Sequence, residues 1–421
     1  MKVVILFSGL VEQTTLQLEV DILNDSTRQC VGLRPSGRPK DARFSSGPCR
    51  KHPGWSLSNL STEHLGRSHR ASSPKARLAD AISRSSKLLG LPKEWRVGIV
   101  PASDTGAFEM AMWSLLGPRA VDVLVWESFS SDWAKDLAAL AVDPLNVHQA
   151  DYGELPKLDA VKADNDVVMV FNGTTSGVRL PNLDWIDRDR DGLVLCDATS
   201  AAYAMDIDYS RVDVLTWSWQ KALGGEAAHG MLALSPRAVE RLETMPPQRA
   251  LPKVFTLTKQ GKLIEGIFKG ATINTPSMLA VEDLHSALDW ADQIGGLAAL
   301  QQRSNANFQA LDTWVQKTDW VDWLATDPAT RSSTSMCLKI TDEAFTSLDT
   351  DTQQGWIKTM VGWLAEESVA YDIANYRSAP PGFRIWGGAT VDATDIEALT
   401  PWLDWAYQGV CEQLNNGNVT T

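Results

Sequence analysis

The sequence predicts an α/β protein with a mostly parallel central sheet in a large domain and a smaller α+β domain towards the C-terminal end. Between residues 97 and 234, short apolar segments recur, and most of them lead through small and polar residues into a stretch suited to a helix. This alternation is typical of a parallel sheet with helices on both faces. After residue 281 helical patterns dominate, with a strand-like segment at residues 336–340, which indicates the second unit.

Composition limits the class of protein. The chain has 421 residues, of which 44% are hydrophobic and 22% are charged, as in ordinary globular proteins. No apolar run approaches the ~20 residues of a membrane span, so we expect no membrane partner. The net charge of −13 argues against a nucleic-acid partner. The cysteines are scattered and form no CxxC pair, which argues against a metal site and favours reduced thiols in the cytoplasm.

Residues 1–38 differ from the sequence that follows and are predicted to be an N-terminal extension. Four acidic residues between positions 12 and 25 make it too acidic for a typical transit peptide, and its apolar start is short for a signal peptide. Disorder and an upstream start codon are both open interpretations, and a cleaved targeting segment is disfavoured. Its role and any organelle targeting stay open.

Polar or aromatic residues follow the predicted strands at their carboxyl ends. In a parallel sheet these ends line one crevice, where ligands bind. A turn of small residues that leads into a helix can also hold an anion on free backbone N–H groups. The residues at these ends are Asp104 and Thr105 after residues 97–101, Phe129 after residues 121–126, Thr174 after residues 166–171, Asp197 after residues 192–196, and Lys221 after residues 212–219.

Lys221 stands out because a charged amine at the end of a buried strand is unfavourable unless it is paired or used. Two glycines, Gly224 and Gly225, follow closely and would let other groups approach. Burial lowers the pKa of an amine and frees it to attack a carbonyl, which is what a Schiff-base lysine requires. Taken alone, the segment is equally compatible with a surface lysine in a turn.

Basic residues are concentrated in two places of this acidic chain. One cluster, between residues 64 and 77, contains His69 and Arg70. The other, near the C-terminal end, contains Arg377 and Arg384 in a loop-to-strand context. Arginine's planar fork suits phosphate and carboxylate groups, although a solvated helix start also explains the first cluster.

Several motifs together resemble phosphoserine aminotransferases, class V enzymes of fold type I that use pyridoxal 5′-phosphate. They agree in order and spacing from about residue 39 to the C-terminal end. The motifs are residues 44–48, 68–70, 197–200, 219–226, 274–276 and 382–384. The resemblance divides this part into residues 39–55, which would pack with the small domain, the large cofactor-binding domain at residues 56–297, and the small domain at residues 298–421.

The resemblance implies a role for each residue near the cofactor. Lys221 would form a Schiff base with pyridoxal 5′-phosphate and then move the substrate α-proton, while Asp197 would pair with the pyridine nitrogen. Phe129 would stack on the cofactor ring, at a position where many members of the family have tryptophan. The remaining contacts would come from Thr174 at the ring oxygen, from Asp104, Thr105 and Gln220 at the phosphate, and from Asn274 and Thr275 of the neighbouring subunit of a homodimer.

The resemblance also implies two grips for a phosphorylated amino acid. Arg384 would bind the α-carboxylate. His69 and Arg70, from the partner subunit, and Arg377 would bind the phosphate. Tyr376 stands where some members have histidine, which removes a positive charge and leaves substrate choice open. The implied reaction converts L-glutamate and 3-phosphohydroxypyruvate to 2-oxoglutarate and O-phospho-L-serine in serine biosynthesis. Use of the related substrate of pyridoxine biosynthesis, which gives 4-phosphohydroxy-L-threonine, stays open.

Three alternatives were weighed. A cysteine desulfurase needs a histidine over the ring and a mobile cysteine, but Phe129 holds the stacking position and Cys337 lies in a strand-like run. A transaminase for alanine or serine with glyoxylate would not need the phosphate grips at His69 and Arg70. A non-catalytic homologue would not need both Lys221 and Asp197.

Overall fold

The computed structural model describes residues 33–376 and 378–415. The helices of this part are α1 (Ser72–Leu89), α2 (Ser103–Leu115), α3 (Ser128–Ala139), α4 (Pro236–Thr244), α5 (Met278–Ile294), α6 (Gly296–Val315), α7 (Glu343–Thr346), α8 (Thr350–Glu366) and α9 (Ala393–Asn415). Its strands are β1 (Arg96–Pro101), β2 (Val121–Val125), β3 (Leu145–Gln149), β4 (Asp166–Val170), β5 (Asn172–Gly173), β6 (Val178–Arg179), β7 (Val194–Asp197), β8 (Val214–Ser218), β9 (His229–Leu234), β10 (Thr258–Lys259), β11 (Lys262–Leu263), β12 (Val321–Trp323), β13 (Ser335–Ile340) and β14 (Gly382–Trp386).

A seven-stranded sheet with the order β1-β9-β8-β7-β4-β2-β3 forms the centre of the large domain. Its strands run parallel except β9, which is antiparallel to both of its neighbours. The carboxyl ends of β7 and β8 therefore open on the same edge as the N-terminus of α2, which follows β1 directly. The predicted α/β fold with a mostly parallel sheet is confirmed.

Burial explains which strands the sequence predicts. Every residue of β2, β4, β8 and β9 is buried, as in strands that helices cover on both faces. These strands give continuous apolar runs that are easy to recognise. The edge strand β3 is half-exposed along its length and has no such run, so the sequence pattern missed it.

The smaller unit contains a three-stranded antiparallel sheet, in the order β12-β13-β14. Residues of this sheet, α8 and α9 form a second hydrophobic core, separate from that of the large sheet. Phe44 and Cys49 belong to this second core, and the backbone N–H of Trp386 donates to the carbonyl oxygen of Phe44 at 3.0 Å. The segment before α1 is thus joined to the small sheet.

Helix α6 belongs to both cores. Leu300 packs in the first core, whereas Leu311 and Val315 pack in the second. Gly295 and Gly296, at the junction of α5 and α6, have φ values of 114° and 73°, a left-handed conformation that glycine adopts without strain. The domain boundary predicted after residue 297 would fall in the first turn of this helix, and the domain limits stay a prediction.

Part of the predicted N-terminal extension lies within the described residues. Arg34 and Arg38 form ion pairs with Glu367, at 2.7 and 2.9 Å. The indole N–H of Trp402 donates to the carbonyl oxygen of Gly37 at 2.6 Å. Residues 1–32 lie outside the described residues, as does Arg377. Within residues 33–376 and 378–415, no helix combines the length and apolar character needed to cross a lipid bilayer.

Candidate active site

Lys221 follows β8 and is 8% exposed. Its Nζ donates a hydrogen bond to the carbonyl oxygen of Ser46 and lies 5.9 Å from the ring centroid of Trp386. Among the described residues, no carboxylate oxygen lies within ion-pair distance of the amine. Burial lowers the pKa of Lys221, and the positive charge of Arg384 acts in the same direction. The amine is thus kept without a counter-ion, as a nucleophilic or basic lysine requires.

The loop at Ser46 and Gly47 reaches Lys221 from the other end of the chain. A Cβ atom at Gly47 would collide with Lys221 Nζ, so a larger residue would force the lysine side chain to shift. The next turn is fixed by the backbone N–H of Cys49, which donates to the carbonyl oxygen of Gln220 at 2.9 Å. The motif at residues 44–48 therefore closes one side of the lysine site.

Asp197 ends the neighbouring strand β7 and is half-buried. Its Oδ1 accepts the backbone N–H of Thr199 at 3.0 Å, and its Oδ2 accepts the indole N–H of Trp133 at 3.1 Å. Its charge also acts on Lys221. The structure places Asp197 at the end of β7 and Lys221 after the adjacent strand β8. Trp133 was missed, although its position four residues after Phe129 places both aromatics on one face of α3.

The N-terminus of α2 offers backbone donors on the same side. Ala102, the residue before the helix, has a left-handed conformation and no side-chain cap, so the first N–H groups are free for an anion. Thr105 is exposed in this first turn, whereas Asp104 is 5% exposed. Burial and the charge of Asp197 raise the pKa of Asp104 well above its ordinary value. The Asp104 side chain thus faces Asp197, and its expected phosphate contact would come from the backbone.

Thr174, Phe129 and Gln220 surround the crevice. Thr174 lies after β4 and donates from its hydroxyl to Ser200 Oγ at 3.2 Å. Phe129, in the first turn of α3, is 38% exposed, and its ring centroid lies 5.9 Å from that of Tyr376. Gln220 is partly buried, and its Oε1 has no hydrogen-bond partner. Each of these side chains keeps a polar atom or ring face available for a ligand.

Arg384, on β14, contributes a cation from the small domain. Its guanidinium carbon lies 5.8 Å from the ring centroid of Tyr376, and its Nε is buried without a hydrogen-bond partner. Within the described residues no carboxylate forms an ion pair with it. An arginine that is partly buried and lacks an acidic partner is suited to bind an anionic ligand.

The remaining predicted residues lie elsewhere in the chain. His69 and Arg70 are in the turn before α1, and no hydrogen bond or ion pair joins them to Lys221 or Asp197 in the part of the chain that the structure describes. Asn274 and Thr275 lie before α5, in a segment held by a hydrogen bond of 3.2 Å from the backbone N–H of Ser277 to His229 Nε2.

The crevice contains buried polar atoms that no protein group satisfies. They are Ser218 Oγ, Gln220 Oε1 and Arg384 Nε. Most buried polar atoms in native proteins have a hydrogen-bond partner, so this set indicates a ligand site. A reactive amine, a carboxylate beside it and a free helix N-terminus match the aldehyde, pyridine nitrogen and phosphate of pyridoxal 5′-phosphate. The residues present therefore fit this cofactor.

Two buried cysteines lie close to the crevice. Burial raises the pKa of both Cys49 and Cys337 to about 12, so both thiols stay protonated at neutral pH. The nucleophilic form of cysteine is the thiolate. The site therefore lacks the reactive cysteine that desulfurase chemistry needs, among the residues described.

The fold and this site define a transaminase that uses pyridoxal 5′-phosphate, and the chain belongs to the class-V aminotransferases. The model of that family matches residues 138–352. Two solved structures share the fold. One is a phosphoserine aminotransferase from Cytophaga hutchinsonii, with a TM-score of 0.73 and 20% identity, covering 86% of this chain and 98% of its own. The other, from Trichomonas vaginalis with bound pyridoxal phosphate, has a TM-score of 0.69 and 17% identity over 87% and 100% of the two chains.

Sequence similarity shows to which group of class-V aminotransferases the chain belongs. A phosphoserine aminotransferase from Methanosarcina mazei is 54% identical over 376 residues, which cover 89% of this chain and 99% of the relative. At this identity and coverage, the chain is placed among the phosphoserine aminotransferases. The resemblance seen in the sequence motifs is confirmed.

Proposed function

We propose that this protein transfers an amino group reversibly from L-glutamate to 3-phosphohydroxypyruvate, giving 2-oxoglutarate and O-phospho-L-serine for serine biosynthesis. The observation that supports this chemistry is the buried amine of Lys221. It has no counter-ion among the described residues, and the charges of Asp197 and Arg384 both act on its pKa. The substrate pair is supported by the name of the 54% identical relative.

Lys221 performs the proton transfers. When bound, pyridoxal 5′-phosphate supplies an electron sink that stabilises the substrate carbon after it loses its α-proton. The lowered pKa of the Lys221 amine increases the fraction of it that is neutral, and the neutral amine is the form that can accept that proton. Once protonated, the same amine can donate the proton again as a general acid.

Asp197 and Arg384 orient the reactants. Asp197 has about four lone-pair positions, of which Thr199 and Trp133 occupy two, so it can still accept a hydrogen bond from a protonated ring nitrogen. Arg384 presents its fork for the α-carboxylate that both amino-acid substrates carry. The rings of Phe129 and Tyr376 lie 5.9 Å apart, and their apolar surfaces would limit access of water to the site.

We propose that a homodimer completes the binding sites for the substrate phosphate and for the cofactor phosphate. His69 and Arg70 would reach the substrate phosphate of the partner's site, and Asn274 and Thr275 would reach its cofactor phosphate. This proposal is supported by the position of both pairs in surface segments that do not bond to Lys221 or Asp197 of the same chain. Arg377 would add a cation from the same chain.

A cytoplasmic location is also proposed. It is supported by Cys49, Cys196, Cys337 and Cys411, which are all unpaired, as is usual in a reducing compartment.

A half-reaction titration tests the proposed substrate. The absorbance of the bound cofactor is followed while O-phospho-L-serine, L-serine, L-alanine and 4-phosphohydroxy-L-threonine are added to separate samples. We expect conversion at low phosphoserine and at least a ~100-fold higher requirement for serine and alanine, because several charged hydrogen bonds to the phosphate are lost. An equal response to alanine would leave the fold and cofactor in place but assign the protein to a different transaminase. The fourth compound reports use in pyridoxine biosynthesis.

Replacing Arg70 by alanine tests the phosphate grip. We expect kcat/KM for O-phospho-L-serine to fall by about 10- to 100-fold, since a charge-assisted hydrogen bond is lost, while KM for L-glutamate changes little. Steady-state kinetics with each amino donor measures both values. Equal losses for the two donors would mean that Arg70 does not bind the phosphate.

Subunit complementation then tests whether Arg70 acts on the partner's site. Lys221→Ala and Arg70→Ala chains are co-expressed with different tags, and mixed dimers are purified through both tags. If Arg70 acts in the partner's site, one of the two sites contains both native residues, so about half of the wild-type activity should return. Activity no higher than that of the Arg70→Ala protein would show that Arg70 serves its own chain.

A further inference from the structure

Trp133 makes a direct side-chain hydrogen bond to Asp197. Its indole N–H donates to Asp197 Oδ2 at 3.1 Å, whereas Oδ1 is bonded by the backbone N–H of Thr199. Indole nitrogen is a donor that neither accepts a hydrogen bond nor ionises at physiological pH. The bond therefore supplies a donor to the second carboxylate oxygen of Asp197 and fixes the direction in which that oxygen points.

The indole ring of Trp133 is buried and packs against the neighbouring helix α2. Trp133 lies in α3 and is 6% exposed. Its ring packs on Phe108 of α2, which is fully buried, with ring centroids 4.9 Å apart and an angle of 50° between the planes. Since α2 also provides the N-terminus proposed for the cofactor phosphate, Trp133 connects that helix to the carboxylate of Asp197.

The surroundings of Asp197 make a neutral donor important. Among the described residues, no arginine, lysine or histidine forms an ion pair with it. Its neighbour on α2 is another carboxyl, that of the buried Asp104. Burial and the charge of Asp197 raise the pKa of Asp104. Trp133 thus gives Asp197 a donor that carries no charge of its own.

We propose that Trp133 is a positioning residue, which orients Asp197 towards the ring nitrogen of the cofactor. The inference rests on the cofactor part of the proposed function and is independent of the amino-acid substrate. The competing explanation is that Trp133 only fills space between α2 and α3. That explanation predicts no difference between cofactors with and without a ring nitrogen.

The test uses Trp133→Phe, which keeps an aromatic ring and removes the N–H. The matched control is Trp126→Phe, because Trp126 is also buried and its indole N–H donates at the same distance of 3.1 Å, but to the carbonyl oxygen of Val178. Apoprotein of each variant is titrated with pyridoxal 5′-phosphate and with its 1-deaza analogue, in which carbon replaces the ring nitrogen. Equilibrium dissociation constants are measured by absorbance and fluorescence.

We expect Trp133→Phe to raise the Kd of pyridoxal 5′-phosphate by about tenfold, as for the loss of one hydrogen bond to a charged group, and to leave the Kd of the deaza analogue within about twofold. In an Asp197→Ala background, Trp133→Phe should then have no further effect on the natural cofactor. Trp126→Phe should show no difference between the two cofactors. If the Trp133→Phe apoprotein does not fold, Trp133→Met replaces it with the same expected results.

Equal weakening of both cofactors by Trp133→Phe, or unchanged affinity for the natural one, would overturn the positioning role. An additional loss in the Asp197→Ala background would also overturn it, because Trp133 would then act by another route. These results differ from failure of the proposed function, in which the wild-type protein itself would not bind pyridoxal 5′-phosphate.

Discussion

Replacing Lys221 by alanine should reduce transamination by at least about 10³-fold, because the variant lacks both the amine that bonds to the cofactor and the group that moves the α-proton. Two measurements check this. The first is kcat with L-glutamate and 3-phosphohydroxypyruvate. The second is the mass of the protein after borohydride reduction, which should increase by one cofactor on the Lys221 peptide of the wild type and not in the variant.

Lys221→Arg is the matched control, since it keeps a cation in the crevice but cannot form the bond. We expect it to be as inactive as Lys221→Ala, and to show no mass increase. Activity within tenfold of the wild type in either variant would contradict the catalytic role of Lys221. It would indicate a structural lysine instead.

Replacing Arg384 by alanine should lower kcat/KM by about 100-fold for both L-glutamate and O-phospho-L-serine, because both present an α-carboxylate and the buried fork that binds it is removed. Arg384→Lys should recover only part of this loss, since an ammonium group cannot bind a carboxylate with two parallel hydrogen bonds. Steady-state kinetics with each donor separates this result from that of Arg70, which should affect the phosphorylated donor alone.

The control for Arg384 is Arg249→Ala. Arg249 is also partly buried, but its guanidinium donates to the carbonyl oxygen of Leu116, at the end of α2 far from its N-terminus. We expect this variant to keep the wild-type kcat/KM with both donors. A selective loss for only one donor in Arg384→Ala would mean that Arg384 does not bind the carboxylate they share.

Much of the fold could be predicted from the sequence because central strands are long apolar runs. The predicted segments correspond to β1, β2, β4, β7, β8, β9 and β13. Two features of the fold could not be predicted from apolar runs. The antiparallel direction of β9 depends on how the chain connects in space, and its apolar run is the same in either direction. The short strand β12 has only three residues, too few for a periodic pattern.

The site was predictable where function depends on a residue at a strand end. Asp197 ends β7, and Lys221 follows the adjacent strand β8. The contact of Ser46 with Lys221 joins residues 175 positions apart, so no local pattern predicts it. Trp133 was missed for another reason: a tryptophan inside a helix is usually part of the core, and only the position of Asp197 shows where its N–H points.

The unpaired amine of Lys221 has a consequence for the lifetime of the protein in a cell. In the unfolded chain this amine has its ordinary pKa of 10.5, and burial lowers the pKa in the folded state. Between the two values the unfolded chain binds a proton that the folded chain does not, so the free energy of unfolding decreases as pH falls through this interval. The protein without cofactor is therefore less stable at physiological pH than its apolar cores alone would make it. A ligand that bonds to the folded state alone raises its stability by mass action, so the amount of this enzyme that escapes degradation should follow the supply of its cofactor.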